Sequence, residues 1–287
     1  MKFCITLPIV GPFADPRLLA ELARVAEDSG WDAVFLEDYI VHYLGKGKLP
    51  VCDPWIALTA IALATNRVRI GPTVTPLSRR RPWKVARETV TLDRLSGGRL
   101  ILGVGVGDLN DDGFGKVGET ANSKQRNEML NEALQVLTGL WSAKPFSFEG
   151  RFYKVRELTL LPAPLQKPRI PIWIGGQWPH GAPVRRAARW DGICTYKLNR
   201  DGGVEALAPH EIRELKRSIE QSRPQTAPFD LCVGGSSHEE DPILVRRRIE
   251  AAAEAGANWW PMFMSREPDA VRRWISRGPP ELGRGMS

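Results

Sequence analysis

The chain is poor in residues that staple a fold or ligate a metal. Its four cysteines, Cys4, Cys52, Cys194 and Cys232, form no C-x-x-C pair, and only four histidines accompany them. Neither a disulfide framework nor a metal site is expected from that spacing. Three of the cysteines lie inside apolar runs, as small core residues do. There is no long apolar stretch, no low-complexity segment, and no basic leader with a small-residue cleavage site before the strand-like Lys2 to Ile9. A cytoplasmic protein without a membrane partner is the expectation. Charge of one sign is not concentrated either. The formal charge of +7 raises nucleic acid as a partner, but basic residues are mixed with acids along helices, as from Val245 to Glu254. No basic and aromatic stripe accompanies them, so nucleic acid is set aside. His180, His210 and His238 fall in or near helix starts and read as structural or exposed.

What the chain does have is alternation. With 43% hydrophobic and 25% charged residues over 287 positions, it suits one large α/β domain spanning 1–287. Strand-like runs cover Phe3 to Pro8, Ala33 to Glu37, Val68 to Val74, Leu100 to Val106, Ile170 to Gly175, Gly192 to Tyr196, Phe229 to Val233 and Trp259 to Met264. Helical patterns cover Pro16 to Ser29, Pro54 to Ala64, Pro82 to Leu95, Lys124 to Trp141, Gly181 to Arg189, Pro209 to Gln221, Pro242 to Ala255 and Pro268 to Ser276. Proline opens most of these helices, where its missing N–H costs nothing. The pattern is that of a single (β/α)8 TIM barrel. Its main interruption lies between the fourth helix and fifth strand, where FSFEGRFYKV reads as a hairpin and LPAPLQKPRIP as an extended segment. A doubly wound nucleotide-binding sheet needs G-x-G-x-x-G opening a helix, whereas Gly103, Gly105 and Gly107 give G-x-G-x-G before a polar loop.

The C-terminal strand ends of such a barrel carry its chemistry. Here they offer Glu37, Asp38 and Tyr39 with His42 close behind, then Thr73, Val74 and Thr75, then Gly107 and Asp108. Gly175, Gly176, Gln177 and Trp178 follow, then Thr195, Tyr196 and Lys197. No nucleophilic Ser or Cys sits beside an evident base, and no His, Asp and Glu set has metal spacing. The alternate glycines of GVGVG remove side chains at a strand end, so a flat group is expected to approach the backbone there. Arg79, Arg80 and Arg81 form a dense basic cluster and suit a small anion.

FLEDY after the second strand, VRIGPTVTPL followed by RRPWKVARETVTLDRLSGGRLILGVGVG, and PAPLQKPRIPIWIGG with AARWDG together resemble the luciferase-like oxidoreductase superfamily. The resemblance runs over nearly the whole chain and implies a TIM barrel that binds the deazaflavin F420 or reduced FMN. It implies a non-proline cis peptide at Thr73–Val74 backing the cofactor ring, with Thr75, Gly105 and Gly107 beside it. Gly175 and Gly176 match a phosphate-binding turn, with Gln177 and Trp178 next to it. Asp38 matches an acid near the reacting centre. The neighbouring histidine of the family is replaced by Tyr39, which leaves Tyr39 and His42 as alternative proton carriers. Asp108 stands where those relatives have a glutamate, and Lys197 where some hold a substrate phosphate, with Arg79 and Arg80 on the same rim.

The expected activity is F420-dependent hydride transfer to or from a small organic substrate with an anionic group. The alternatives are oxygenation by reduced FMN supplied by a separate flavin reductase, and a non-catalytic cofactor-binding protein. The superfamily resemblance, with Trp141 and Trp274 read as exposed helical residues, also suggests a homodimer.

Overall fold

Short apolar runs bounded by glycine and proline become parallel strands buried on both faces. In the computed structural model, which describes residues 1–44, 47–108, 111–200, 204–223, 227–237, 240–264 and 267–282, eight of these strands make the central sheet. They are β1 (Lys2–Leu7), β2 (Ala33–Leu36), β3 (Arg69–Pro72), β4 (Leu102–Gly105), β5 (Ile172–Gln177), β6 (Gly192–Leu198), β7 (Asp230–Val233) and β8 (Trp259–Phe263). Their order is β3-β2-β1-β8-β7-β6-β5-β4. The ring closes where Ile70 bridges Leu100 in parallel, with Thr75–Pro76 laid along Val104 and Gly105. The architecture is an α/β barrel, as the alternation of elements requires.

Among the described residues, besides a single turn at Asp112–Gly115, eight helices alternate with the strands: α1 (Pro16–Asp28), α2 (Pro54–Ala64), α3 (Pro82–Leu95), α4 (Ser123–Trp141), α5 (Gly181–Ala187), α6 (Pro209–Glu220), α7 (Pro242–Glu254) and α8 (Pro268–Ile275). Six of them begin with proline, and Asp15, Asp53, Asn122 and Asp241 accept main-chain N–H bonds at the starts of α1, α2, α4 and α7. These side chains satisfy donors that a helix leaves orphaned at its first turn.

Alternation along the strands divides the core in two. Ile5, Leu7, Val34, Leu36, Ile172 and Ile174 join the large cluster under the helices, whereas Cys4, Phe35, Trp173, Cys232 and Trp259 form a second cluster that fills the barrel interior. The floor is tied by Asp230, which accepts from Trp173 Nε1 at 3.1 Å and Trp259 Nε1 at 2.8 Å.

Several expectations change. The third strand is not continuous to Val74: it stops at Pro72 and resumes at Thr75, with a cis peptide at Thr73–Val74 between. A hairpin of His42–Leu44 with Gly47–Leu49 adds to the expected elements, and the expected insertion hairpin pairs Phe146–Glu149 with Lys154–Leu158. Trp141 is 4% exposed and donates to Thr89 Oγ1 at 3.1 Å, so it is a core residue and lends nothing to a dimer face. His238 lies outside the described residues. Among the described residues no helix is long and apolar enough to cross a membrane.

Candidate active site

The glycines at the C-terminal ends of β4 and β5 do not leave bare backbone. A Cβ on Gly105 would lie 2.7 Å from Val74 Cγ2 and one on Gly175 2.5 Å from Val74 Cγ1, whereas one on Gly103 would collide with the Pro72 carbonyl oxygen and lie 3.4 Å from Val74 Cγ1. The Val74 isopropyl group fills the hollow beside Gly105 and Gly175, and the Pro72 main chain fills the one beside Gly103. This corrects the expectation that a flat group would meet the backbone there: what the mouth presents at that height is the half-buried Val74 side chain. Beside it, Thr73 Oγ1 is buried without a hydrogen-bond partner among the described residues. A buried hydroxyl left unpaired is costly, and it fits the polar edge of a bound ring. Gly107 has φ +80°, and a Cβ on it would lie 2.6 Å from the Phe114 ring, so glycine is required twice over.

Gly175 and Gly176 are also placed differently from the expected turn. Both continue β5, in register with Cys194 and Thr195 of β6, and the Gly176 carbonyl accepts from Thr195 Oγ1 at 2.7 Å. Strand pairing therefore uses the β6 side of this backbone, while pairing with β4 ends at Ile174. Gln177 ends the strand half-buried, and Trp178 is 7% exposed within the large core cluster.

Asp38 is the hub of a buried charge network. Its carboxylate accepts from Arg80 Nη2 at 2.8 and 3.0 Å, from Arg79 Nη2 at 3.1 Å, and from Thr75 Oγ1. Arg79 Nη2 also donates to the Asp38 carbonyl at 2.6 Å, and Arg79 Nη1 pairs with Asp111. The Arg79 and Asp38 side chains are each 1% exposed. In this geometry both Nη groups of Arg79 and the Nη2 of Arg80 are directed at acceptors within the protein, and Thr75, fully buried, faces Asp38.

Tyr39 and His42 come together, their rings 5.3 Å apart at 59°. Burial, followed by the charges of Glu37, Asp108, Asp111 and Tyr196, pushes the Tyr39 phenol well above its usual range. Burial and then Asp108 raise Tyr196 as well. Tyr39, Asp108 and Tyr196 stand at the C-terminal ends of β2, β4 and β6 around one mouth, with the Asp108 side chain exposed. Tyr196 belongs with this group; the inward alternation of β6, one step beyond Cys194, is the signal that finds it.

Lys197 bonds Glu211 at 2.9 Å and lies 3.5 Å from Glu205; the Glu211 hydrogen bond is the main cause of its raised pKa. It lines a cavity of about 580 Å³ together with Glu205, Glu240, Arg247 and Arg248. A smaller hollow of about 340 Å³ is lined by Tyr39, Cys52, Arg79 and Arg80. Among the described residues no group of His, Cys, Asp and Glu could hold a metal ion.

A family model described as luciferase-like monooxygenase matches residues 1–240. The chain belongs to this family and is an oxidoreductase of the luciferase-like type. An F420-dependent glucose-6-phosphate dehydrogenase of Nakamurella multipartita is 34% identical over 296 residues, covering 92% of this chain and 84% of the relative. One of Microbacterium testaceum is 35% identical over 177 residues, covering 61% of this chain but only 50% of that protein's length. The fold matches that of an F420-dependent secondary alcohol dehydrogenase in complex with an F420-acetone adduct, with a TM-score of 0.79 at 19% identity, covering 97% of this chain and 98% of the other.

Proposed function

We propose that the protein is an F420-dependent dehydrogenase that oxidises a hydroxyl group of a small anionic substrate, of which a sugar phosphate is the leading case. The observation that carries this reading is the Val74 shelf, packed over Gly105 and Gly175, with the Thr73 hydroxyl, unpaired among the described residues, at its edge. A flat ring fits such a shelf, and the hydroxyl supplies a partner for one of its polar atoms. The F420-dependent sugar-phosphate dehydrogenases among the relatives support the choice of cofactor and substrate class.

When bound, the deazaflavin supplies the hydride acceptor, and the protein's task is to hold, orient and deprotonate the substrate. Val74 supports the ring face. Tyr39 keeps its proton and donates a hydrogen bond to the substrate oxygen, with His42 packed against it. Asp108, exposed at the rim, takes the hydroxyl proton as the hydride leaves the carbon. Asp38 anchors the rim through Arg79 and Arg80. The anionic group enters the 580 Å³ cavity, where it meets Arg247 beside Lys197, which is paired with Glu211 and Glu205, and Arg248, which is paired with Glu240.

The test is an anaerobic mixture of the protein, F420 and glucose 6-phosphate, followed by the visible absorbance of the oxidised deazaflavin. Bleaching that requires all three components supports the reading. An unchanged spectrum with F420 bound removes glucose 6-phosphate as substrate, and failure to bind F420 removes the cofactor assignment.

A further inference from the structure

Between β4 and α4, one guanidinium holds both Asp108, on the rim, and Thr120. Arg126, on the first turn of α4 and fully buried, donates from Nη1 to the Asp108 carbonyl at 2.9 Å and from Nε to the Thr120 carbonyl at 2.7 Å. Its Cζ lies 3.5 Å from the centre of the Phe114 ring, and Arg79 Cζ lies 5.1 Å from the same ring. Phe114 is itself fully buried, in the space that Gly107 leaves open. Arg79 then bonds Asp111 on the same segment. The rim is therefore fastened at Asp108, Asp111, Phe114 and Thr120.

A guanidinium in this position is expensive. Burial lowers the Arg126 pKa, opposed by the charges of Asp111 and Asp108, and the hydrogen bonds it makes among the described residues go to main-chain carbonyls. A leucine would fill similar space without the desolvation cost. What leucine could not supply is the fixed fork of donors that sets two carbonyls, 12 residues apart in sequence, relative to one helix.

We propose that Arg126 is a positioning residue for the reaction. It fixes the main chain of Asp108, and through it the Asp108 carboxylate, at the edge of the mouth, with Phe114 as the packed spacer between Arg126 and Arg79. The proposal rests on the reading of Asp108 as the proton acceptor.

The experiment compares wild type, Arg126→Lys and Phe114→Leu, each also in an Asp108→Asn background. On the cofactor-free protein, amide exchange across 111–120 is expected to quicken by roughly tenfold in Arg126→Lys and less in Phe114→Leu, with exchange in β1 and β8 unchanged. With F420 and glucose 6-phosphate, kcat is expected to fall about tenfold in Arg126→Lys while the Kd for F420 stays within about twofold. In the Asp108→Asn background the same substitution is expected to cost less than about twofold, because its effect runs through Asp108. Unchanged exchange across 111–120, or equal losses of kcat in both backgrounds, overturns the proposal. If Arg126→Lys does not fold, Phe114→Leu makes the same comparison. A wild type that does not reduce F420 with this substrate strikes the proposed function, and the exchange measurement then decides alone whether Arg126 holds the rim.

Discussion

A Cβ on Gly175 would come within 2.5 Å of Val74 Cγ1, because the Val74 isopropyl group already occupies the barrel interior at that height. The shelf is thus a joint product of strand ends without side chains and a valine turned inward at the break between Pro72 and Thr75. Gly175→Ala is expected to displace Val74 and weaken F420 binding by about tenfold or more, since close-packed groups yield poorly to an added carbon. Val74→Ala combined with Gly175→Ala should recover part of the loss. Titration by fluorescence checks both; a Gly175→Ala protein that binds as wild type would show that the ring rests elsewhere.

The Asp38 network leads to a second expectation. Asn at position 38 leaves Arg79 and Arg80 facing a neutral amide in a site where both the Arg79 and Asp38 side chains are 1% exposed. Breaking such a buried pair costs about 3–5 kcal/mol. Asp38→Asn should therefore lower the thermal midpoint by several degrees and weaken cofactor binding as much as turnover. A large loss of kcat with stability and affinity intact would instead place Asp38 in the chemistry.

Tyr39 gives a pH prediction. Because burial and the neighbouring acids raise its pKa, the neutral phenol persists to higher pH than in a free tyrosine, and turnover should show no alkaline limb from Tyr39 up to about pH 10. Tyr39→Phe is expected to reduce kcat by about tenfold without reshaping the profile. Loss of an alkaline limb in the variant would mean that Tyr39 ionises during turnover.

Glu27 offers a test remote from the mouth. Burial raises its pKa, but N–H groups of Val68, Asn66 and Arg67 at 2.8, 2.9 and 2.5 Å outweigh burial, and the net shift is downward. A depressed carboxyl stabilises the fold above its unfolded pKa, and that contribution is lost as pH falls through the folded value. Glu27→Gln should lower the thermal midpoint by ~2–6 °C at pH 7. The gap should close below about pH 4. A gap that persists in acid would show that packing, not charge, is responsible.

The barrel was legible because each local signal agreed with its neighbours. Pro54 and Pro82 mark helix starts, Gly97 and Gly98 a helix end with φ +68° and +83°, and short apolar runs lie between such stops. The hairpin at 42–49 was not legible, since its arms have three residues each and carry no alternation. Gly175 and Gly176 read equally as turn or strand; pairing with β6, which decides the matter, is a tertiary fact. The site was harder still. Arg79 and Arg80 announce positive charge, but their acceptor Asp38 stands 41 and 42 residues away, and no local pattern reveals whether a guanidinium will meet a substrate or another side chain. Arg126 carries no signal at all in sequence: it is one more basic residue on a helix until its burial is seen.

The most direct measurement is a pair of anaerobic titrations of the cofactor-free protein with F420 and with FMN, each oxidised and reduced, followed by addition of glucose 6-phosphate to the F420 complex. The account predicts tight F420 binding, much weaker FMN binding, and reduction of bound F420 by the sugar phosphate. Tight FMN binding with weak F420 binding would contradict it.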